Sequence, residues 1–193
     1  MGVYVKQLLC YSRGMHTDLI EILIEKGSEK GISVVMHSLG EQIRLQHFFV
    51  FKKAGNRANI FKHWSSGHLP YIMREVEYID FREAPRIEAL CISRQPIYDA
   101  LDNYHPAEIK AITSIFTELS NECVGFIPIY TNGTWWGMGF FSKYTPFTEN
   151  ETSSLERIMS IYGSVLRKEL LECQAKQRQE EDFWANLFSL LDL

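Results

Sequence analysis

Cysteine and histidine could give this 193-residue chain redox or metal chemistry. The cysteines stand at positions 10, 91, 123 and 173, with no C-x-x-C pair and no histidine at zinc-ligand spacing. Their wide separation indicates neither a disulfide framework nor a zinc knuckle. Isolated thiols of this kind suit a reducing cytosol, where a buried cysteine behaves as a small apolar residue.

Two further groups of side chains could bind a ligand. A metal or haem site can be drawn from His47, His63 and His68, but no carboxylate or cysteine stands at a matching position. Four acidic residues could hold a cation: Glu75, Glu77, Asp80 and Glu83. Because charge that alternates along an exposed strand is usually solvated, we interpret these four as a surface face.

The composition excludes several classes of function. There is no G-x-S-x-G, and Gly133, Gly137 and Gly139 lack the helix-opening glycine of a dinucleotide fingerprint. With 20 basic and 24 acidic residues the net charge is −4, which argues against a nucleic-acid groove. The first thirty residues do not resemble a signal peptide, and no apolar run approaches the roughly 18 residues of a membrane span. We therefore expect a cytoplasmic protein.

Hydrophobic periodicity predicts helices at both ends of the chain and strands between them. Helices are predicted over residues 17–30 and 32–42, followed by a hairpin of strands 45–53 and 58–64 around a turn at 54–56. Residues 75–81 form a strand or an extended loop. A short helix at 86–91, a strand edge at 96–98 and a helix at 106–119, opened by a proline, complete the middle.

The stretch from residue 123 to residue 169 is the clearest architectural unit. Asn132-Gly133 is the signature of a type I′ turn between two aromatic strands. Thr148 and Glu151 form a capping box that opens the last helix. The spacing directs one set of its side chains inward: Leu155, Ile158, Met159, Tyr162, Val165, Leu166, Leu170 and Cys173.

This order of elements resembles the GAF domains, sensory modules of signalling proteins. The local matches are residues 34–39 followed by 48–51, residues 60–64, and residues 126–129 with the three glycines that follow them. The resemblance implies an α+β, GAF/PAS-like fold in which an antiparallel sheet of about five to six strands carries terminal helices on one face and a ligand pocket on the other. It also divides the chain into an N-terminal helical segment (1–30), a GAF-like domain (31–172) and a C-terminal helical extension or linker (173–193).

Specific ligands of the family find little support in these residues. The cyclic-nucleotide motif is matched at Lys143 and Phe147, with Glu151 in place of aspartate, and we predict a structural Lys143–Glu151 ion pair instead. Neither Cys91 nor Cys123 is followed by the histidine typical of bilin attachment. Some members reduce free methionine sulfoxide with clustered cysteines, so a redox enzyme requires Cys91 and Cys123 to meet across the pocket.

Aromatic residues are the best candidates for ligand contact. The elements that flank the pocket in the resembling fold contribute Trp64, Phe81, Tyr98, Tyr104, Phe116, Trp135 and Trp136. Aromatic walls with a few polar groups suit a small planar or apolar ligand. From this set we take as ligand-binding residues Trp64, Phe81, Tyr98, Phe116 and Trp136.

The sequence thus predicts a non-catalytic sensory domain of a signalling or transcription-control protein. It would bind a small intracellular ligand of unspecified identity and signal as a homodimer through its terminal helices. One alternative is a ligand-free dimerisation or adaptor domain whose pocket is filled by its own aromatic residues, and another is a methionine sulfoxide reductase on the same fold. The apolar tail that contains Trp184 and Phe188 would pack on the domain, pair in a dimer or lead into an output domain.

Overall fold

A single antiparallel sheet organises the chain. The computed structural model describes the backbone of residues 2–66, 78–115 and 122–191, and the side chains of these ranges from residue 17 to residue 189. Within these ranges there are six strands: β1 (His47–Ala54), β2 (Arg57–Ser65), β3 (Tyr78–Asp80), β4 (Ile97–Ala100), β5 (Cys123–Thr131) and β6 (Thr134–Lys143). Their order across the sheet is β3-β2-β1-β6-β5-β4.

The helices are α1 (Gly2–Ile43), α2 (Pro85–Ile92), α3 (Pro106–Thr113) and α4 (Glu149–Leu191), with a 3₁₀ turn at Leu101–Asn103. This α+β architecture confirms the predicted fold class, including the strand count. No described helix combines the length and the apolar character that crossing a membrane requires.

Both predicted hairpins form. Asn132 and Gly133 have φ angles of 49° and 77°, and Thr131 pairs with Thr134 across them, as a type I′ turn demands. The β1–β2 hairpin turns at Gly55, whose φ is 59°. Turn residues that accept positive φ therefore fix the register of both strand pairs.

The two faces of the sheet carry separate cores. On the face that we call the helix face, α1 and α4 pack against Phe48, Ile127 and Phe141. On the opposite face, here the distal face, Phe49 and Phe140 pack in a core that includes residues of α2 and α3. The central strands β1, β6 and β5 are largely buried on both sides, which explains their nearly continuous apolar sequence.

Helix α1 is bent at Gly27, where φ is 77° and ψ is −179°. A side chain at Gly31 would lie only 2.9 Å from the Cα atom of Leu23, eight residues earlier. A continuous helix would separate residues at this spacing by about 12 Å. Helix α1 therefore has a sharp corner at Gly27, four residues before the boundary at residue 31 that the predicted helices 17–30 and 32–42 imply.

The start of α4 is tied to the sheet as predicted. The Lys143 Nζ atom lies 2.6 Å from Glu151 Oε1, and both side chains are largely buried. The Thr148 backbone N–H donates to Glu151 Oε2 at 2.7 Å, and the Glu151 N–H donates to Thr148 Oγ1 at 3.4 Å. Glu151 thus completes the capping box and the ion pair together.

Two predicted details were wrong. Helix α3 ends at Thr113, not at residue 119, because the Ser114 hydroxyl donates to the Ala111 carbonyl at 2.7 Å and competes with the helical hydrogen bonds. Leu170 and Cys173 of α4 are exposed rather than inward. At 43 residues α4 is about 64 Å long, roughly twice the span of a ten-residue strand, so its second half extends beyond the sheet. Residues 75–77 and 116–119 of the predicted elements lie outside the described residues.

Candidate ligand site

A row of polar side chains crosses the distal face at one end of the sheet. Glu122 directly precedes β5, Ser142 lies near the end of β6, and His47 begins β1. The strand register pairs Ser142 with Val124 on one side and with His47 on the other. All three polar residues are buried, with exposed fractions of 1% for Glu122, 0% for Ser142 and 5% for His47.

Strand alternation explains why these residues point into the distal core. Side chains two residues apart on a strand share a face. Val124, Phe140 and Phe49 all belong to the distal core, and each stands two residues from a member of the row. The distal-face side chains of β5, β6 and β1 are therefore apolar except at one end, where Glu122, Ser142 and His47 follow. The pairing of the three strands aligns these polar groups.

Glu122 is the unusual member of the row. Both of its carboxyl oxygens are buried and make no hydrogen bond with the residues that the structure describes, and the same is true of the Ser142 hydroxyl oxygen. Desolvation by burial raises the pKa of Glu122 to about 7, and the neighbouring Ser142 hydroxyl opposes part of that rise. Ser142 is thus close enough to act on the carboxyl without reaching hydrogen-bond geometry. Burying a carboxyl without a hydrogen-bond partner lowers the free energy of unfolding. Glu122 and Ser142 are therefore a destabilising pair of unsatisfied polar groups in an apolar core.

His47 of the row and the neighbouring His63 of β2 are held neutral. Burial, followed by repulsion from His63, lowers the pKa of His47 to about 4. His47 Nδ1 lies 3.0 Å from the Ser65 Oγ atom of β2. Burial also lowers the pKa of His63, whose ring stacks on Phe49 at 5.6 Å. At neutral pH the row therefore presents one ionisable carboxyl beside uncharged imidazoles.

The structure separates the five aromatic residues predicted to bind ligand. Phe81 is buried on the distal face, 5.0 Å from the ring of Trp135. Trp64, Tyr98 and Trp136 pack instead against the helix-face core. Phe116 lies outside the described residues. The four described residues therefore do not line one common pocket.

A strand irregularity decides the side on which Trp136 lies. Ile129 pairs with Gly137 and Tyr130 with Trp135, so Trp136 is an extra residue in β6. Without this bulge Trp136 would share the distal face with Met138 and Phe140. Instead its ring lies 6.0 Å from that of Tyr162 on α4.

The structure does not bring together Cys91 and Cys123, which the alternative redox function requires to meet across the pocket. Cys91 is buried in the distal core, and burial, helped by Glu88, raises the pKa of its thiol to about 12. Alternation along β5 directs Cys123 to the helix face, opposite Lys143 in the register. Cys91, Cys123 and Cys173 are all free. A thiol with so high a pKa is a poor nucleophile.

A concave region lies apart from this row, between the starts of α2 and α3. It is a cleft of about 500 Å³ lined by residues that include Arg82, Arg86 and His105. The buried Glu108 carboxylate already accepts the backbone N–H groups of Arg86 at 3.2 Å and His105 at 3.3 Å. This carboxylate joins the two helix starts, so the cleft has a structural explanation.

Sequence reasoning missed Glu122 and Ser142. A sequence signal was available for both residues. In each of the two predicted strands, a polar residue stands two positions beyond the last apolar residue of the same face: Glu122 before Val124, and Ser142 after Phe140. Of the predicted histidine site, His47 and His63 do share the distal face, and His68 lies outside the described residues. No group of three potential metal ligands gathers in the described part of the chain.

Comparison with known proteins identifies the fold. No family model and no curated protein matches the sequence. Among solved structures, the phycoerythrobilin-bound GAF domain of a cyanobacterial phytochrome superposes with a TM-score of 0.67 at 11% identity, over 84% of this chain and 98% of that chain. The GAF domain of nlh2 from A. aeolicus, in an inactive state, gives 0.58 at 14% identity, over 81% and 95%. A GAF domain/HD domain protein from Geobacter sulfurreducens gives 0.56 at 18% identity, over 81% and 96%. The chain therefore has the GAF fold.

Proposed function

We propose that this GAF-fold chain is a sensory module that binds a small molecule on its distal face and signals through α1 and α4. The observation that carries the proposal is the unsatisfied pair of Glu122 and Ser142 inside the distal core. Native proteins rarely leave a buried carboxyl without a partner, and a bound ligand would supply one. The phytochrome GAF domain with its bound phycoerythrobilin is an example of this fold holding a small molecule.

The sheet connects the two ends of this mechanism. β1, β5 and β6 contribute the polar row or its flanking residues on the distal face, and the same strands contribute Phe48, Ile127 and Phe141 to the core beneath α1 and α4. A ligand that changes the spacing of these strands would change the packing of the terminal helices. It shifts the population only if it binds two helix arrangements with different affinity.

Signal output would pass through a homodimer of the terminal helices. The second half of α4 is exposed and carries three large apolar side chains with exposed fractions of 59% for Phe183, 52% for Trp184 and 60% for Phe188. Leu170, Cys173, Gln177, Glu180, Trp184 and Leu187 follow alternating steps of three and four residues. This spacing is that of a coiled-coil seam that two copies of α4 would cover. Gln177 and Glu180 are its polar members, and Phe183 and Phe188 flank it beside Trp184.

The proposed division of the chain follows from this role. Residues 31–172 would form the sensory domain, and residues 1–30 and 173–193 would be the helical segments that transmit the signal. We place the protein in the cytoplasm, as part of a signalling or transcription-control system, without direct contact to nucleic acid or membrane and without catalysis of its own.

A ligand-free adaptor is the second candidate function. The observation that favours it is the close packing of distal-face aromatic rings, with Phe126 and Phe140 centroids 5.1 Å apart and Phe49 and Phe140 centroids 6.2 Å apart. In this case Glu122 would be protonated in a core filled by the protein's own side chains, and α4 would still form the dimer.

Native mass spectrometry of the freshly purified full chain separates the two functions. We expect a dimer that carries a small molecule, which denaturation releases and identifies by mass. The Glu122→Gln/Ser142→Ala variant should lose this molecule, whereas Glu21→Gln, a change to an exposed residue of α1, should keep it. The sensory function would be contradicted, and the adaptor supported, by two results together. All three proteins would be dimers with the mass of the polypeptide alone, and no cell extract would raise their melting temperature.

A further inference from the structure

The chemistry of the polar row specifies a class of ligand. We propose that the small molecule bound beside Glu122 is a planar aromatic cation, of the amidinium or protonated heteroaromatic amine class, whose N–H groups donate to the Glu122 carboxylate. This inference rests on the proposed ligand-binding function and adds the charge and shape of the ligand.

Charge selects a cation over an anion. Both Glu122 oxygens accept nothing from the described residues, so an N–H donor gains two acceptors without displacing a protein group. His47 is neutral at physiological pH and offers no positive charge to an anion. An anionic group would stand against a carboxylate in a site of low dielectric, which is strongly unfavourable.

Geometry favours a forked donor. A carboxylate accepts two parallel N–H bonds from one planar amidinium or guanidinium group, and such charge-assisted pairs are shorter and stronger than neutral ones. The Ser142 hydroxyl beside the carboxyl also has no hydrogen-bond partner in the described part of the chain, and it can accept a third N–H or donate to a ring nitrogen. Two unsatisfied groups on adjacent strands therefore match a donor group of more than one N–H.

The surroundings favour an aromatic body. Phe49 and Phe140 lie next to the row on the distal face, and their ring centroids are 6.2 Å apart. Aromatic faces attract cations and stack with planar rings, so they stabilise a delocalised cation better than an aliphatic ammonium ion.

Three matched probes test the charge directly: benzamidine as the cation, benzamide as its neutral analogue and benzoate as its anion. Isothermal titration calorimetry with the full-length wild-type protein should rank them in that order. Glu122→Gln should weaken benzamidine binding roughly 10- to 100-fold, the range expected for one lost hydrogen bond to a charged group, with little effect on benzamide. Glu21→Gln, an exposed change on α1, should leave all three unchanged.

The pH dependence of benzamidine affinity distinguishes direct contact with Glu122 from a structural role of that residue. Because burial raises the pKa of Glu122 to about 7 in the free protein, pairing with a cation should release a proton near neutrality. Benzamidine affinity should therefore rise between pH 6 and pH 8 in the wild type, and this rise should be absent in Glu122→Gln. His47 does not contribute in this range, because its pKa is about 4.

The results for the cation inference and for the sensory function can be told apart. Circular dichroism checks that Glu122→Gln is folded. If it is not, Glu122→Asp, which keeps the charge but shortens its reach, tests the contact instead: it should weaken benzamidine binding and retain the pH dependence. Three results would overturn the cation inference. They are equal affinity for the three probes, tighter binding of benzoate than of benzamidine, and benzamidine affinity that is the same in wild type and Glu122→Gln. If a co-purified molecule is present in native mass spectra but is neutral or anionic, the sensory function stands and the ligand class is wrong.

Discussion

Glu122 combines two properties that rarely occur together, deep burial and, among the described residues, the absence of a hydrogen-bond partner. Burying a carboxyl without a partner is unfavourable, and the charged form is penalised more than the neutral form. The distal core therefore holds a group whose protonation state is poised near physiological pH. A ligand or a proton can each relieve the same cost, so stability and binding are linked through one side chain.

Stability should fall with rising pH because of Glu122. Its folded-state pKa of about 7 lies above the ordinary value of 4.5, so the folded protein binds more protons than the unfolded chain between these pH values. Stability contributed by protonation is therefore present below about pH 4.5 and lost as pH rises through about 7. The shift corresponds to roughly 3 kcal/mol in the free energy of unfolding.

Urea denaturation of the ligand-free protein from pH 5 to pH 8 tests this. Glu122→Gln, which cannot ionise, should gain stability relative to wild type as pH rises. His47 produces the opposite slope between its folded pKa of about 4 and its ordinary 6.5, and it cancels in the comparison because both proteins retain it. A difference between wild type and variant that stays constant with pH would refute the burial argument.

At the scale of elements, α1 and α4 are joined at the corner in α1. The Ser28 backbone N–H donates to Glu169 Oε1 of α4 at 2.7 Å, and the Ser28 hydroxyl donates to Glu169 Oε2. A carboxylate at the start of a helical segment satisfies its free N–H groups and interacts favourably with the helix dipole. The second segment of α1 is therefore capped by a residue of the other terminal helix.

Replacing Gly27 by alanine should destabilise the protein more than replacing Gly55. Both glycines have positive φ, but Gly27 combines φ 77° with ψ −179°, a region essentially restricted to glycine. A Cβ atom at Gly27 would lie 2.5 Å from Glu169 Oε1, whereas a Cβ atom at Gly55 meets nothing within 4 Å. We expect a loss of roughly 1–3 kcal/mol for Gly27→Ala and about 1 kcal/mol for Gly55→Ala.

Thermal and urea unfolding of the two variants measure this difference. Gly55→Ala is the matched control, because it introduces the same methyl group at positive φ without a clash. Equal losses in the two variants would mean that neither the ψ angle of Gly27 nor its contact with Glu169 adds to the cost of a side chain at positive φ.

At the scale of the whole molecule, α4 extends well beyond the sheet and leaves an apolar surface uncovered. In a coiled-coil register that contains Leu170 and Trp184, Ala175 falls on the opposite side of the helix. Trp184→Glu removes the largest apolar side chain of this seam and adds a second carboxylate four residues from Glu180, whereas charge at Ala175 should remain solvated.

Analytical ultracentrifugation should therefore find wild type and Ala175→Glu as dimers and Trp184→Glu as a monomer. Circular dichroism serves as the check that the variant domain is intact. The proposed dimer would be contradicted if Trp184→Glu sedimented like the wild type, or if the wild type were monomeric at concentrations of tens of micromolar.

Local features of this molecule were readable from the sequence because short-range chemistry determines them. Asn132-Gly133 fixes a type I′ turn through backbone preference alone, and Thr148 with Glu151 caps a helix start through contacts three residues apart. The Lys143–Glu151 ion pair joins residues only eight positions apart. The resemblance to GAF domains added the order of the elements, and the fold comparison confirmed it.

Tertiary packing decided what the sequence left open. A single extra residue in β6 directs Trp136 to the helix face, and alternation alone would have placed it on the distal face. Tyr98 and Trp64 were assigned to a pocket by the elements they occupy, yet α1 and α4 cover the sides of the sheet to which they point. Glu122 is an ordinary acidic residue in the sequence, and it becomes a candidate ligand contact only because the folded domain buries it beside Ser142. Burial depends on the whole fold, whereas turns and caps depend on a few neighbouring residues, and this difference in range separates what could be read from the sequence from what required the structure.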